Sequence, residues 1–334
     1  MSDLPASSQP KPSEQAWRNP DVAFQGTLLL IFIAVFIVLS LIARNFLTVT
    51  NLLNIARQAA PTLIVATGMT LVITTGGIDL SVGSGTALVA VLSAMTLGAI
   101  GSGFGVVLTV VLMLLLGILL GAVNGYFVAY QRIPAFIVSL ASLSIVRGLA
   151  QLLTRGYSLP IDPDSPFLWL GRGRIGIVPV PAIIALVVVV VGIILLNTTT
   201  LGVYITGIGS NEEAVRRSGV NVRLVKIVVY MISGLVVALG GMVTAARLAS
   251  GSSYTGVAFE LQVIAAVIVG GTNLFGGEGR MLGTVLGTLL LAMIGNGLIL
   301  LRISPFYQQI IEGLIILLAI WFNLSLSSRW LQGR

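Results

Sequence analysis

The spacing of charges constrains this chain more than any other feature. Between Asp21 and Arg44 there is no charged residue at all. A helix that crosses a hydrocarbon core needs ~20 predominantly apolar residues at a rise of about 1.5 Å each, and gaps of that length recur along the chain. Residues 58–78 lie uncharged between Arg57 and Asp79, and residues 80–131 form a longer gap. The glycine-rich "GAIGSGFG", residues 98–105, favours a turn that divides the longer gap into two helices. Further spans are expected over 134–153, where Pro134 suits a first helical turn, then over 181–196, 227–246, 261–271, 281–301 and 305–322. The fold class is therefore an all-α polytopic membrane protein with about ten transmembrane helices, which places both chain ends on one side. The eighth span, residues 261–271, is short, and a re-entrant course there would move the later helices to the opposite sides.

Composition supports the bilayer and excludes other chemistries. Only 9% of the residues are charged, and the mean hydropathy is +1.05, beyond what a water-soluble globular chain carries. The absence of cysteine and histidine removes disulfides, thiolate ligands, the commonest metal ligand and the commonest general base. No catalytic residue, metal site or cofactor is expected. The net charge of +7 reflects arginine in the loops of a membrane protein and not a nucleic-acid footprint, so nucleic acid is not an expected partner.

The chain divides simply. Residues 1–21 are Pro/Ser-rich and polar, which reads as a disordered cytoplasmic tail and not as a signal peptide. Residues 22–328 form a single transmembrane domain, and residues 329–334 a short C-terminal tail. A cytoplasmic amino terminus puts Lys11, Arg18, Arg132, Arg216, Arg217, Arg223, Lys226, Arg280, Arg329 and Arg334 inside, with the other eight of the 18 cations outside or within spans. The cluster from Arg216 to Lys226 decides this orientation, because a short loop with four cations resists translocation.

That cluster lies in "GIGSNEEAVRRSGVNVRLVK", residues 207–226, where every local signal points to a short helix. Ser210 followed by Glu213 has the pattern of a capping box. Glu212 and Glu213 sit at the positive end of the dipole, Arg216 and Arg217 at its negative end, and Gly219 suits the left-handed position just past the end. A helix of about two turns is marginal alone in water, so it docks on its own transmembrane helices or on another protein. A well-capped surface helix and a docking element both fit these residues.

"EAVRRSG", residues 213–219, resembles the Glu-Ala-Ala-x-x-x-Gly signature with which bacterial ABC importer permeases contact their ATPase subunits. Val215 replaces the second alanine, and the Leu-Pro that ends the longer signature is absent, as in the sugar branch. "TTGGIDLSVGS", residues 74–84, resembles the hallmark segment of ribose-, xylose-, arabinose- and galactose-type ABC importer permeases. Residues 132–156 and "IAAVIVGGTNLFGGEG", residues 264–279, are similar to family segments at corresponding places. The resemblance covers the chain after about Val22 and implies a type II ABC-importer-like permease fold in the bacterial inner membrane, multi-pass and embedded in lipid. It further implies a second permease subunit, identical or homologous, that encloses one pathway with this chain. An extracytoplasmic sugar-binding protein would deliver a monosaccharide, and separate ATP-binding-cassette subunits would drive it inward. On this resemblance Ser210, Asn211, Glu212, Glu213, Ala214, Arg216, Arg217 and Gly219 couple to the ATPase.

The chain itself carries no ATPase signal, since a phosphate-binding loop needs Gly-x-x-x-x-Gly-Lys-Ser/Thr and the only lysines are Lys11 and Lys226. The chain is thus expected to be a transport subunit and not an enzyme. A self-sufficient secondary transporter or channel for a small polar solute is the alternative, although the acids and arginines that a proton relay would use are few and lie near helix ends.

The glycine break at residues 74–84 has two readings. Gly76 and Gly77 permit backbone angles closed to other residues, and Asp79 or Ser81 can bond the amides freed where the second helix ends. The break is then a helix end with a cap. In the other reading Gly76, Gly77, Asp79, Ser81 and Gly83 line the solute route, where irregular backbone and a carboxylate meet sugar hydroxyls. An echo follows: residues 266–277 align without gaps on residues 72–83, placing Gly270 and Gly271 opposite Gly76 and Gly77 and Asn273 opposite Asp79. Gly270, Gly271 and Asn273 therefore join the candidate pathway or gate residues. An even number of expected helices separates the two segments, so they run parallel and do not form an inverted repeat. Either the eighth span is misdrawn or two helix ends share one backbone solution. Among other polar residues, Arg147 and Glu312 are expected to snorkel, and Gln308 and Gln309 fall with Glu312 on one side of the tenth helix. Gly117, Gly121 and Gly125, spaced by four, mark close helix packing.

Overall fold

The computed structural model describes residues 20–318 apart from 102, 305, 312, 315 and 316. Its long apolar helices largely follow the uncharged stretches, which is where the backbone must satisfy its own hydrogen bonds in lipid. The main helices are α1 (Pro20–Ile42), α2 (Val49–Thr74), α3 (Val82–Ile100), α4 (Phe104–Ala129), α5 (Ala135–Thr154), α6 (Val180–Thr198), α7 (Thr200–Arg217), α8 (Val222–Leu248), α9 (Phe259–Val269) and α10 (Met281–Leu300). Eight of them, all but α7 and α9, are long and apolar enough to cross a membrane by length and composition. These are the expected first to seventh and ninth spans, and α9 is the short eighth. Of the expected tenth span, the described residues 306–311, 313, 314, 317 and 318 are helical; the rest of it lies outside the described residues, as do the tail ahead of Pro20 and the C-terminal tail. The strands are β1 (Leu159–Pro160), β2 (Arg174–Ile175), β3 (Val178–Pro179) and β4 (Ser250–Gly251), paired β1 with β4 and β2 with β3, both antiparallel.

The bundle is built around α8. Helix α4 runs antiparallel to it along the expected glycine stripe: a Cβ on Gly117 would overlap the Gly234 carbonyl, and one on Gly121 the Tyr230 carbonyl. Backbones approach this closely only where side chains are missing, so the spacing by four creates a continuous groove. Helix α2 is also antiparallel to α8, with Gly68 against Ser233 and Val236 and Gly240 against Val65. Helix α3 is parallel to it, with Gly85 against Val237 and Gly241 against Val89. Val65, Met69, Ile73, Val82, Val237, Val263 and Val267 form one core where α2, α3, α8 and α9 meet. The outer faces of α1, α4 and α5 instead expose Leu30, Leu41, Leu115, Leu119 and Leu152, apolar surface that suits lipid.

The eighth crossing is half helix and half irregular chain. Helix α9 runs antiparallel to α10, with Gly270 against Gly283 and Gly287 against Ala266. The chain therefore returns from the Leu248 end of α8 through residues 249–258 and α9 to the end where α7 lies. Irregular backbone inside a bundle needs donors for its carbonyls. Arg147 supplies them, and here the structure corrects the expectation of snorkelling. Its Nη1 donates to the Ser253 and Thr255 carbonyls, each at 2.7 Å, and its Nη2 to the Gly256 carbonyl at 3.0 Å. The pairing of Leu159 with Gly251 and a 3.2 Å bond between the Thr154 and Ser253 hydroxyls hold the same segment.

Candidate functional site

Helix α2 ends in a left-handed turn. The Gly76 amide donates to the Ile73 carbonyl at 2.8 Å and the Gly77 amide to the Val72 carbonyl at 3.1 Å, with φ of +78° at Gly76. This is the Schellman pattern, in which a glycine just past the helix satisfies the last free carbonyls. Helix α9 ends identically: Gly271 donates to Ile268 at 2.8 Å, Thr272 to Val267 at 3.2 Å, and φ at Gly271 is +85°. The echo is thus two helix ends sharing one backbone solution, and both helices run in the same direction. Its register, however, differs from the gapless alignment. The left-handed residue is the first glycine of Gly76-Gly77 but the second of Gly270-Gly271, so Asp79 corresponds in space to Leu274 and not to Asn273.

The two turns touch. The Gly277 amide donates to the Thr74 carbonyl at 3.0 Å. Gly276, at φ +89°, packs on the backbone of Gly76, and Gly209 of α7 sits against both the Thr74 carbonyl and the Gly277 amide. Ser210 packs on Gly277. Asn273 organises this loop from within, its Oδ1 accepting from the Phe275 amide and its amide donating to the Glu278 carbonyl, each at 3.0 Å.

Asp79 is buried at 3% exposure and is surrounded by donors. Its Oδ1 accepts from the Ser81 amide at 3.0 Å and the Ser81 hydroxyl at 2.5 Å, and its Oδ2 accepts from the Ser233 hydroxyl of α8 at 3.3 Å. The Asn124 amide of α4 donates to Ser81 Oγ at 2.9 Å. Asp79 therefore shapes the turn ahead of α3 and ties it to α4 and α8. Together with Ser81 it borders a void of about 10 Å³, roughly the space of one water. Gly83 comes next, packed against the Gly256 carbonyl and the carboxylate of Glu260. The break thus climbs from α7 to the irregular half of the eighth crossing.

The expected coupling loop, residues 207–221, contains a short helix at 212–217, with a different cap from the one expected. Helix α7 breaks at Asn211, whose backbone is extended, and Asn211 Oδ1 accepts from the Ala214 amide at 3.0 Å. Asn211 is the cap. Ser210 still belongs to the preceding helix and donates to the Thr206 carbonyl at 3.0 Å. Freed from a capping box, Glu213 pairs with Arg216 and, at 2.9 Å, with Arg217, while Glu212 pairs with Lys226 at 2.6 Å. Gly219 takes the left-handed position at φ +89°. Ser210, Asn211, Glu212, Glu213, Ala214, Arg216, Arg217 and Gly219 are all exposed on this end of the bundle. Arg223 lies over the Tyr130 ring at 5.3 Å, which places the end of α4 there too.

At the opposite end, between α2, α3, α8, α9 and α10, lies a cavity of about 420 Å³. Gln58, Thr62, Arg247, Gln262, Asn296 and Gln308 are among its polar lining residues. None of the candidate pathway residues at the glycine turns borders it. Glu312 lies outside the described residues, and Gln309 is exposed. Sequence reasoning missed Gly209, Thr74 and Gly277, because close backbone approach between distant segments leaves no local pattern. It also missed Glu260, for which a carboxylate at the start of an apolar helix was the available signal. Among the described residues no group of acids could hold a metal ion.

Residues 51–320 match the family model described as "Branched-chain amino acid transport system / permease component". The chain is 41% identical to the ribose import permease protein RbsC of Escherichia coli strain K12 over 299 residues, covering 89% of this chain and 92% of that one. It is 41% identical to the ribose import permease protein RbsC of Bacillus subtilis strain 168, covering 88% and 91%. With the xylose transport system permease protein XylH of Escherichia coli strain K12 the identity is 32%, covering 83% and 86%. No solved structure matches.

Proposed function

The chain belongs to the family of branched-chain amino acid transport system / permease components, and we propose that within it this chain carries a monosaccharide, with ribose and xylose the first to test. It is the transmembrane permease subunit of an ATP-binding-cassette importer, a multi-pass inner-membrane protein whose ATPase and solute-binding partners are other chains. The names of its ribose and xylose relatives support the sugar. A second permease copy, identical or homologous, completes the pathway, and both termini face the cytoplasm.

One observation carries the mechanism: Gly209 rests on the Thr74 carbonyl and the Gly277 amide at once. The helix at 212–217 is exposed and offers its acids and arginines to the ATPase. A displacement of that helix passes through Ser210 and Gly209 to two glycine turns that end α2 and α9. Tight backbone contacts leave no side chain to absorb the motion, so both helix ends shift together. The turns then gate the route, with Asp79 fixing the backbone of the first and Ser81 and Gly83 carrying the motion toward residues 249–258.

Reconstitution with the ATPase and the binding protein tests this. Uptake of labelled ribose or xylose should require both partners and ATP, and uptake by the chain alone would overturn the assignment. A cysteine at Ser210, in a chain with no other cysteine, should react with impermeant reagent only from the cytoplasmic side. Reaction from outside would invert the orientation.

A further inference from the structure

The large cavity carries charge of one sign. Arg247, near the end of α8, lines it together with Gln58 of α2. Arg57 precedes Gln58 on the same helix and places a second cation at this end of the bundle. The Arg57 Nη2 donates to Asn54 Oδ1 at 3.1 Å, but its Nε is buried without a partner. Among the described residues no acid lines the cavity, and neither arginine has a carboxylate within ion-pairing distance. A guanidinium partly withdrawn from bulk water, with a second cation nearby and no acid beside it, is unfavourable unless something supplies compensating hydrogen bonds or charge.

Several other polar groups of the wall are already committed. The hydroxyls of Thr86, Thr244 and Thr288 each donate at 2.8 Å to the carbonyl four residues back. Asn296 is held in a reciprocal amide pair with Asn51 at 2.9 and 3.0 Å. The threonine oxygens retain acceptor lone pairs, while guanidinium and Gln58 donors remain open. That combination matches a polyhydroxylated solute. At about 420 Å³ the cavity falls within the ~300–1,000 Å³ typical of small-molecule sites.

We propose that this cavity is a solute-binding chamber in which Arg247 in the wall, with Arg57 nearby as a second cation, admits neutral and anionic polyols and turns away cationic ones. The polyol rests on the sugar reading given above, whereas the sign of the screen rests on the arginines alone. A hydroxyl accepts from the Arg247 guanidinium, and a carboxylate-bearing sugar acid gains a charge-assisted bond. An ammonium group meets Arg247, with Arg57 nearby, and no counter-charge in the wall.

The test uses Gln58→Cys in the assembled transporter, in which this chain has no other cysteine. Its rates with anionic and cationic methanethiosulfonates are measured, each normalised to a free thiol. The anionic-to-cationic ratio should exceed one several-fold, and combining Arg57→Gln with Arg247→Gln should lower it to about one. Arg247→Lys should preserve it, which separates charge from folding. A ratio at or below one, or a ratio unmoved by the glutamine variants at normal abundance, overturns the screen. With binding protein and ATPase present, a neutral pentose should slow the modification, and a cationic amino sugar that slows it equally also overturns the screen. If no sugar slows it while the charge ratio stands, the sugar reading of the transporter falls and the charge screen is upheld.

Discussion

The amide of Gly277 donates to the carbonyl of Thr74 at 3.0 Å, joining two loops that are about two hundred residues apart in the chain. The Thr74 carbonyl is one of those that α2 leaves free at its last turn, and the α9–α10 loop supplies its donor. Gly209 closes against both partners. The ends of α2 and α9 and the start of the exposed helix at 212–217 therefore share one joint.

Gly209→Ala should disturb that joint directly, because its Cβ would overlap the Thr74 carbonyl. Overpacking of this kind costs about 1–3 kcal/mol. The expected result is a transporter that retains its ATPase subunits and hydrolyses ATP while sugar uptake falls. Parallel assays of ATPase activity and uptake in proteoliposomes check it, and coupled loss or coupled retention of the two would refute the transmission role.

The cap of the exposed helix yields a sharper contrast. Asn211→Ala removes the acceptor of the Ala214 amide and should cost about 1 kcal/mol, read as weaker co-purification of the ATPase. Ser210→Ala should change little, since that hydroxyl only donates back to Thr206. Equal weakening in both variants would restore Ser210 as the cap.

At Asp79 the neighbours separate shape from charge. Asp79→Asn keeps an acceptor for the Ser81 amide and hydroxyl, and most uptake should survive. Asp79→Leu leaves the buried donors of Ser81 and Ser233 without partners, at about 1–3 kcal/mol, and uptake should be lost with the protein still inserted. Equal loss in both variants at wild-type abundance would mean that the carboxylate charge itself acts in transport.

Arg147→Ala strips donors from the carbonyls of Ser253, Thr255 and Gly256. Buried carbonyls left unmatched should cost about 1–3 kcal/mol, measured as a lower Tm in detergent. Arg147→Lys should rescue only part of the loss, because an ammonium cannot reproduce the planar fork. Full stability in the alanine variant would show that residues 249–258 hold their course without the guanidinium.

Much of this protein was legible locally. The uncharged runs located the helices, because transfer into hydrocarbon depends on the composition of a single stretch. The Gly117, Gly121 and Gly125 stripe announced close packing, and Gly219 its left-handed turn, since each follows from the missing Cβ of one residue type. The cap at 210–211 was legible only to within one residue. Ser210 and Asn211 are both good caps, and the choice fell to where the preceding helix of α7 stops. The echo was visible as letters, but its register was set by which glycine each helix end used.

The fate of the polar groups was decided by tertiary structure. Arg147 finds its acceptors more than a hundred residues away, Asp79 is reached by Ser233 from α8, and the chamber around Arg247 draws its wall from several helices. Hydrophobic partition acts on each segment by itself, so sequence alone determined which stretches leave water. A hydrogen-bond partner or a cavity exists only once segments meet, and close backbone approach between glycines fixes where they meet to within an atom's width.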